Sequence, residues 1–443
     1  MSKAEAHNSD PSKISSHKIK MTQVSFQNLL QLEEMAKRLL PPPVYGYYSG
    51  GSNDEITLKD NRAAFNRYRL LPRILRDVST IDCSCTLFGR KLSTPILIAP
   101  MAMQKLCHPD GELAVAKASE AVNSVMIVST MATCSMQEVS QACFGSEERV
   151  KHMHAPSTTG TRRGSTTNQP APPSPPIINN NSKPLWLQIY VLSERSITER
   201  MIKEAEQLGY EAIVITVDAP ILGKREADEE SRFTLPAGLS LRNLDAIDNL
   251  STGEAMQRRK EEGSRFGKHF TELIDPSLTF ESISWACSLT SLPVLVKGVL
   301  SPDDARLCTI YGASGIIVSN HGGRQLDGVP SALDMLPAVV KALENKRNSN
   351  KVHILVDGGV RRGTDVLKCL ALGADALLLG RPVLWGLTLG GQKGVERVVE
   401  HLTEELRSAL ALSGVRSLNP EELNESLIIP PNDGPLRIHP TRL

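Results

Sequence analysis

Eight short runs of Leu, Ile and Val punctuate the chain between residues 95 and 381. They are PILIAP (95–100), VMIVST (125–130), LWLQIY (185–190), AIVITVD (212–218), PVLVKG (293–298), GIIVSN (315–320), HILVDG (353–358) and ALLLGR (376–381). Each is apolar on consecutive residues, hence on both faces of an extended strand, as strands are when a parallel sheet buries them on both sides. Segments of helical period, such as GELAVAKASEAV, ITERMIKEAEQLG, SPDDARLCTIYG and GTDVLKCLALG, lie between them. Parallel neighbours need a crossover, usually a helix. Eight alternating units therefore predict an α/β fold, a closed (β/α)8 TIM barrel rather than an open sheet. No G-x-G-x-x-G or Walker-type loop follows a strand, which counts against a dinucleotide or P-loop fold.

Other segments depart from this rhythm. Residues 1–20 are polar and predict a disordered extension. Residues 21–430 form the barrel domain, led by an N-terminal helix over 26–40 with Ser25 as its cap. Residues 145–184 are so rich in Pro, Ser, Thr, Gly and Asn that they read as a disordered insertion between the second and third strands. The polar stretch at 221–275 follows the fourth strand, where a barrel carries active-site loops, and is a candidate lid. In the tail 431–443, the ending Thr441-Arg442-Leu443 has the small–basic–Leu form of a peroxisomal address.

Composition narrows the partners. With 50 Lys and Arg against 49 Asp and Glu, no global field draws the chain to nucleic acid or anionic lipid. No apolar run approaches the roughly 20 residues of a membrane span. The eight cysteines are scattered, and Cys83-Ser-Cys85 has no partner pair at zinc-like spacing. They read as reduced thiols, and no metal is expected.

Chemistry in a (β/α)8 barrel belongs at the C-terminal rim. The rim positions here are Ala99–Ala102, Ser129, Gln188, Tyr190, Thr216, Asp218, Lys297, Ser319, His321, Asp357–Arg361 and Gly380-Arg381. Such polar groups suit a ligand in a preformed mouth better than a core. Two glycine-arginine segments, DGGVRRGTD and GR, follow the last two strands, the usual phosphate site of this fold. Their backbone N–H groups with Arg361 and Arg381 suit an anion. His321 and Asp218 form a candidate base–orienter pair. Arg324 and Arg225 are planar donors suited to a carboxylate, and Lys297 supplies a fixed positive charge.

At this point a resemblance enters. SNHGGRQLD (319–327), YYSGGSNDEITLKDN (47–61), ITVDAPILGKREAD (215–228), LVKG, DGGVRRGTDV and LGRP together resemble the FMN-dependent 2-hydroxy-acid oxidase family over residues 24–416, the insertion excepted. The resemblance implies that His321 accepts a proton from the substrate as its electrons pass to FMN, with Asp218 supporting the imidazolium. Arg324 and Arg225 would bind the carboxylate, and Tyr47 and Tyr190 would hydrogen-bond the substrate. FMN would rest on Pro100, Met101 and Ala102, with Ser129, Gln188, Thr216, Lys297 and Ser319 as further contacts. Its phosphate would be held by Asp357, Gly358, Gly359, Val360, Arg361, Gly380 and Arg381. A 2-hydroxy acid and oxygen become the expected partners, hydrogen peroxide a product, the peroxisome the expected compartment, and a homo-oligomer of four or more chains the expected assembly.

Departures from the family pattern carry information. Met101 stands where Thr is frequent, and Met131 stands where glycolate oxidases carry Trp, closer to members acting on long chains. The expected activity is therefore oxidation of (S)-2-hydroxy acids, with medium or long chains favoured over glycolate. Three alternatives stay open. One is a 2-hydroxy-acid dehydrogenase using another acceptor, the second a phosphate-binding barrel isomerase or aldolase, and the third a non-catalytic flavin- or metabolite-binding protein.

Overall fold

The computed structural model describes residues 25–143, 183–230, 233–244, 273–349 and 352–431. The expected extension at 1–20, the insertion apart from its last two residues, residues 231–232 and 245–272 of the candidate lid at 221–275, and the tail beyond 431 lie outside the described residues. Eight parallel strands form the closed barrel: β1 (Ile96–Ile98), β2 (Met126–Ser129), β3 (Leu185–Ile189), β4 (Ala212–Thr216), β5 (Val294–Val299), β6 (Gly315–Val318), β7 (His353–Asp357) and β8 (Ala376–Leu379). Neighbours in the chain are neighbours in the sheet, and β8 returns to β1 through Leu377–Ile96, Leu378–Leu97 and Leu379–Ile98. All eight apolar runs became strands of this barrel.

Among the described residues, three helices precede it: α1 (Leu29–Leu39), α2 (Pro42–Ser49) and α3 (Ile56–Arg67). The crossovers run through α4 (Gly111–Ala121), α5 (Met136–Ala142), α6 (Arg195–Gln207), a short α7 (Glu226–Glu230) in the loop after β4, α8 (Glu281–Ser288), α9 (Pro302–Ile310), α10 (Ala332–Ser349) and α11 (Gly363–Ala371). The last helix, α12 (Arg381–Leu412), closes the ring and packs on α1, α4 and α11.

Strand alternation divides the core in two. Leu97, Ile127, Trp186, Val214, Leu295, Ile317, Leu355 and Leu378 fill the interior. Their neighbours Ile98, Val128, Leu187, Ile215, Val296, Val318, Val356 and Leu379 meet the helices. Successive residues of a strand face opposite sides, so both sets must be apolar in a fold covered on both faces. This is why the runs show no alternation in sequence.

Two local features differ from the sequence reading. The first helix begins at Leu29, and Asn28 rather than Ser25 is its cap, accepting from the Gln31 N–H at 2.9 Å. Ser25 lies three residues too early to reach the first free N–H groups. At the opposite end of the barrel from the rim, a hairpin pairs residues 85–87 with 90–92. Its tip residue Phe88 packs edge-on against Trp186 and His353, at 5.7 and 4.5 Å between ring centres. The hairpin plugs the bottom of the barrel and leaves the rim as the open end.

Truncating Leu97, fully buried in the interior, should lower stability by about 2–5 kcal/mol. Leu412→Gln, at a side chain 80% exposed, should change it by less than about 0.5 kcal/mol. The two denaturation midpoints provide the comparison.

Candidate active site

The interior apolar layers end where the strands do. Continuing each inward row by one step of two residues reaches Ala99, Ser129, Gln188, Thr216, Lys297, Ser319, Asp357 and Gly380. One further step beyond β3, β4 and β6 gives Tyr190, Asp218 and His321. Polar groups replace apolar ones at the depth where the barrel opens, and most of them line one cavity with Tyr47, Arg225, Arg324, Arg361 and Arg381.

His321 Nδ1 lies 2.8 Å from Asp218 Oδ1. The His321 backbone sits in the left-handed region at φ +58°, a conformation costing of order 1–3 kcal/mol in a non-glycine residue. Local bonds hold it there: its N–H donates to Ser319 Oγ at 3.0 Å, and Asn320 beside it makes a reciprocal amide pair with Asn61 of α3, at 2.9 and 2.8 Å. Burial lowers the imidazole's proton affinity below its ordinary value; Asp218 opposes that effect, while Lys297 and Arg324 add to it. The ring is therefore neutral near pH 7, the form a proton acceptor needs. Burial alone would raise the Asp218 carboxyl, but His321 and Lys297 outweigh it and keep the group ionised.

Close backbone approach makes this pair possible. At Gly298, φ +106°, an added Cβ would lie 2.5 Å from both Cβ and Cγ of Asp218. The β5–β6 register shifts between Lys297 and Val299, and such a bulge re-aims the side chain beside it. Lys297 Nζ reaches Ser319 Oγ at 2.9 Å and Asp357 Oδ2 at 3.2 Å. Its burial would favour the neutral amine, yet Asp357 and Asp218 prevail and keep it charged.

One side of the cavity has the donors that suit a carboxylate. Arg324 donates to the carbonyls of Tyr47 and Gly50 at 2.6 and 3.0 Å. Its guanidinium carbon is 5.1 Å from the centre of the Tyr47 ring, and that of Arg225 is 5.8 Å from it. Phe233 stacks on the same ring at 4.4 Å. Burial, with Arg225 nearby, brings Arg324 down to about 10. It remains cationic at neutral pH, in surroundings where a substrate anion relieves the repulsion. Burial, then Asp218, raises the Tyr190 phenol, which stays a protonated donor.

The other side fits a phosphate. Gly359 has φ +81°, and a Cβ there would lie 1.8 Å from the Asn61 carbonyl oxygen, so only glycine lets this loop pass α3. The Arg361 and Arg362 N–H groups donate to Asp365 Oδ2, and that of Gly363 to Glu405 Oε2. Carboxylates thus occupy the start of α11, and the anion seat falls to the Gly358–Val360 backbone with the two arginines. Arg361 Nε is buried without a hydrogen-bond partner. Burial, then mutual repulsion with neighbouring arginines, lowers Arg361 to about 10 and Arg381 to about 9. Between the two sides, Gln188 accepts from Ser129 Oγ and the Thr130 N–H, each at 3.2 Å, and donates to Thr216 Oγ1 at 3.0 Å. Amide and hydroxyl groups, a lysine and the Ala99–Ala102 wall fit a flavin ring, and the arginine seat fits its phosphate. Arg361→Gln should weaken FMN binding to the apoprotein about 10- to 100-fold, read by fluorescence titration.

The residues expected from sequence gather here, with three adjustments of role. Asp218 and Ser319 stand behind the cavity lining rather than in it. Ser319 Oγ meets Lys297 and the His321 N–H. Asp357 faces Lys297 rather than offering itself to an anion. Arg381 also braces the mouth, donating to the carbonyls of Tyr48, Gly322 and Gly50. Sequence reasoning missed Tyr48, Asn61, Arg62 and Leu222, which also line the cavity. Asn61 and Arg62 sit in a helix of unremarkable pattern, and only their place beside the rim, Asn61 buried and Arg62 exposed, sets them apart.

Known proteins share this arrangement. The model of the family described as FMN-dependent dehydrogenase matches residues 36–163 and 147–429. A 2-hydroxyacid oxidase of Dictyostelium discoideum is 42% identical over 406 residues, covering 91% of this chain and 90% of that protein. The 2-hydroxyacid oxidase 1 of Homo sapiens is 42% identical over 386 residues, covering 87% and 92%. A crystal structure of mandelate oxidase with (S)-4-hydroxymandelic acid superposes with a TM-score of 0.74 at 34% identity, covering 90% of this chain and 98% of that one. With these relatives, the isomerase and aldolase readings lose their ground. The chain belongs to the FMN-dependent dehydrogenase family, among its 2-hydroxy-acid oxidases, and FMN is its cofactor.

Proposed function

We propose that the protein oxidises (S)-2-hydroxy acids to 2-oxo acids and passes the electrons to oxygen, yielding hydrogen peroxide. The observation that carries this reading is the 2.8 Å His321–Asp218 contact in a cavity that also holds Arg324 and Arg225. The two arginines hold the substrate carboxylate, which places the neighbouring carbon and its hydroxyl near the imidazole. His321 takes a proton from the substrate, and Asp218 stabilises the imidazolium that results. Tyr190 and Tyr47 supply donors to the substrate oxygens. Bound FMN supplies the two-electron acceptor. Direct hydride loss and a carbanion route both need a base at His321.

Anaerobic addition of an (S)-2-hydroxy acid should bleach the flavin, and air should restore its colour with release of peroxide. Bleaching without recovery in air would instead mark a dehydrogenase using another acceptor. His321→Gln should keep the flavin and lose about 10²- to 10⁴-fold in turnover. Because the active base is the neutral ring, kcat/KM should rise with pH through an apparent pKa below the ordinary histidine value of 6.5. A limb above 6.5 would contradict the burial argument.

We also propose that medium and long alkyl chains are favoured over glycolate. Met131 and Leu222, both lining the cavity, support this, since a flexible thioether yields space that a rigid indole would fill. Met131→Trp should raise glycolate turnover relative to 2-hydroxyoctanoate. An unchanged ratio would show that chain length is set elsewhere.

A further inference from the structure

The turn that carries His321 and Arg324 continues into Gln325, whose side chain crosses to the loop after β4. Its Nε2 donates to the Asp218 carbonyl at 3.0 Å and the Ile221 carbonyl at 2.8 Å. Its Oε1 accepts from the Gly223 N–H at 3.1 Å. Two carbonyls require the NH₂ and one N–H requires the oxygen, so the amide has a single satisfactory orientation. Gln325 is buried, and its bonds bracket the segment that begins with Asp218 and leads to Arg225. The Asp218 carboxylate itself is lightly held: Oδ2 is buried without a hydrogen-bond partner. Its aim at the imidazole depends on how its backbone is fixed, and Gln325 grips that backbone from the turn that presents the imidazole.

We propose that Gln325 is a positioning residue, which holds the Asp218 carboxylate against the His321 ring so that the base and its orienting group keep one geometry. The proposal rests on the reading of His321 as the base. Gln325 touches neither substrate nor reacting atoms in this scheme; it acts through Asp218. A residue that merely stabilised the loop would leave the proton affinity of the base unchanged, and this separates the two roles. The charged groups acting on His321 are Asp218 from the β4 loop, Lys297 from β5 and Arg324 from its own turn. Arg225, Arg381 and Tyr190 line the same cavity. Asp218 favours the imidazolium, whereas Lys297 and Arg324 oppose it. A slackened Asp218 therefore leaves the opposing cations less balanced, and the ring holds its proton less tightly.

The test is a double-mutant cycle on FMN-loaded enzyme with Gln325→Met, Asp218→Asn and both together, assayed on (S)-2-hydroxyoctanoate across pH. Gln325→Met should keep the flavin spectrum and lose about 10- to 100-fold in kcat, the scale expected of a misplacement near 1 Å. The acid limb of kcat/KM should move to lower pH. Added to Asp218→Asn, it should cost less than about threefold more, because residues acting through one interaction are not additive. Gln325→Asn, with the amide on a shorter arm, should shift the limb in the same direction and serves if the Met variant does not fold. Additive losses, or lost activity with flavin loss and an unmoved acid limb, would overturn the proposal and leave the proposed activity standing. A wild-type enzyme inactive on every 2-hydroxy acid would overturn both.

Discussion

Closure of the barrel, through Leu377–Leu379 of β8 against Ile96–Ile98 of β1, decides which way every strand end faces. In a closed sheet with side chains alternating inward and outward, a one-residue slip would turn each row to the other side. With the observed register, the rows through Ile127, Trp186, Val214, Leu295, Ile317 and Leu355 lead upward to Ser129, Gln188, Thr216, Lys297, Ser319 and Asp357. The interior is apolar until it is full, and the polar groups begin where the barrel opens. The functional site is the continuation of the core by other residue types.

Charge balance is the second constraint. Lys297 sits between Asp218 and Asp357 and retains its proton because both carboxylates face it. Arg324, Arg361 and Arg381 are more crowded, and burial and mutual repulsion bring them to about 9 or 10. An anion on either side of the cavity relieves that repulsion. In the proposed scheme the FMN phosphate and the substrate carboxylate would each relieve part of that repulsion, beside the neutral imidazole of His321.

Much of this was legible in the chain. The eight runs gave the strands, and SNHGGRQLD, ITVDAPILGKREAD and DGGVRRGTDV contain the His321, Asp218 and Gly358–Arg361 groups that the fold brings to one cavity. Other features were not. Asn28 displaced Ser25 as the first helix cap because helical hydrogen bonding begins later than the hydrophobic pattern suggested. The hairpin around Phe88 is too short for a periodic signal, and its role comes from contact with Trp186 and His353. Asn61 pairs with Asn320 across 259 positions of sequence, a separation at which no local pattern operates.

The sequence by itself determined the barrel, the order of its strands and the residue types at its rim. Burial on both faces demands uninterrupted apolar runs, and His321, the arginines and the glycines are the residue types that an FMN site for a hydroxy acid would call for. Only the tertiary structure decided how these groups act on one another. It set the Asp218–His321 distance, the strained backbone of His321, the occupation of the α11 start by Asp365 and Glu405, and the grip of Gln325 on the neighbouring loop. Residue identity is a local property. Proton affinity, orientation and hydrogen-bond satisfaction depend on what distant segments bring within a few ångströms.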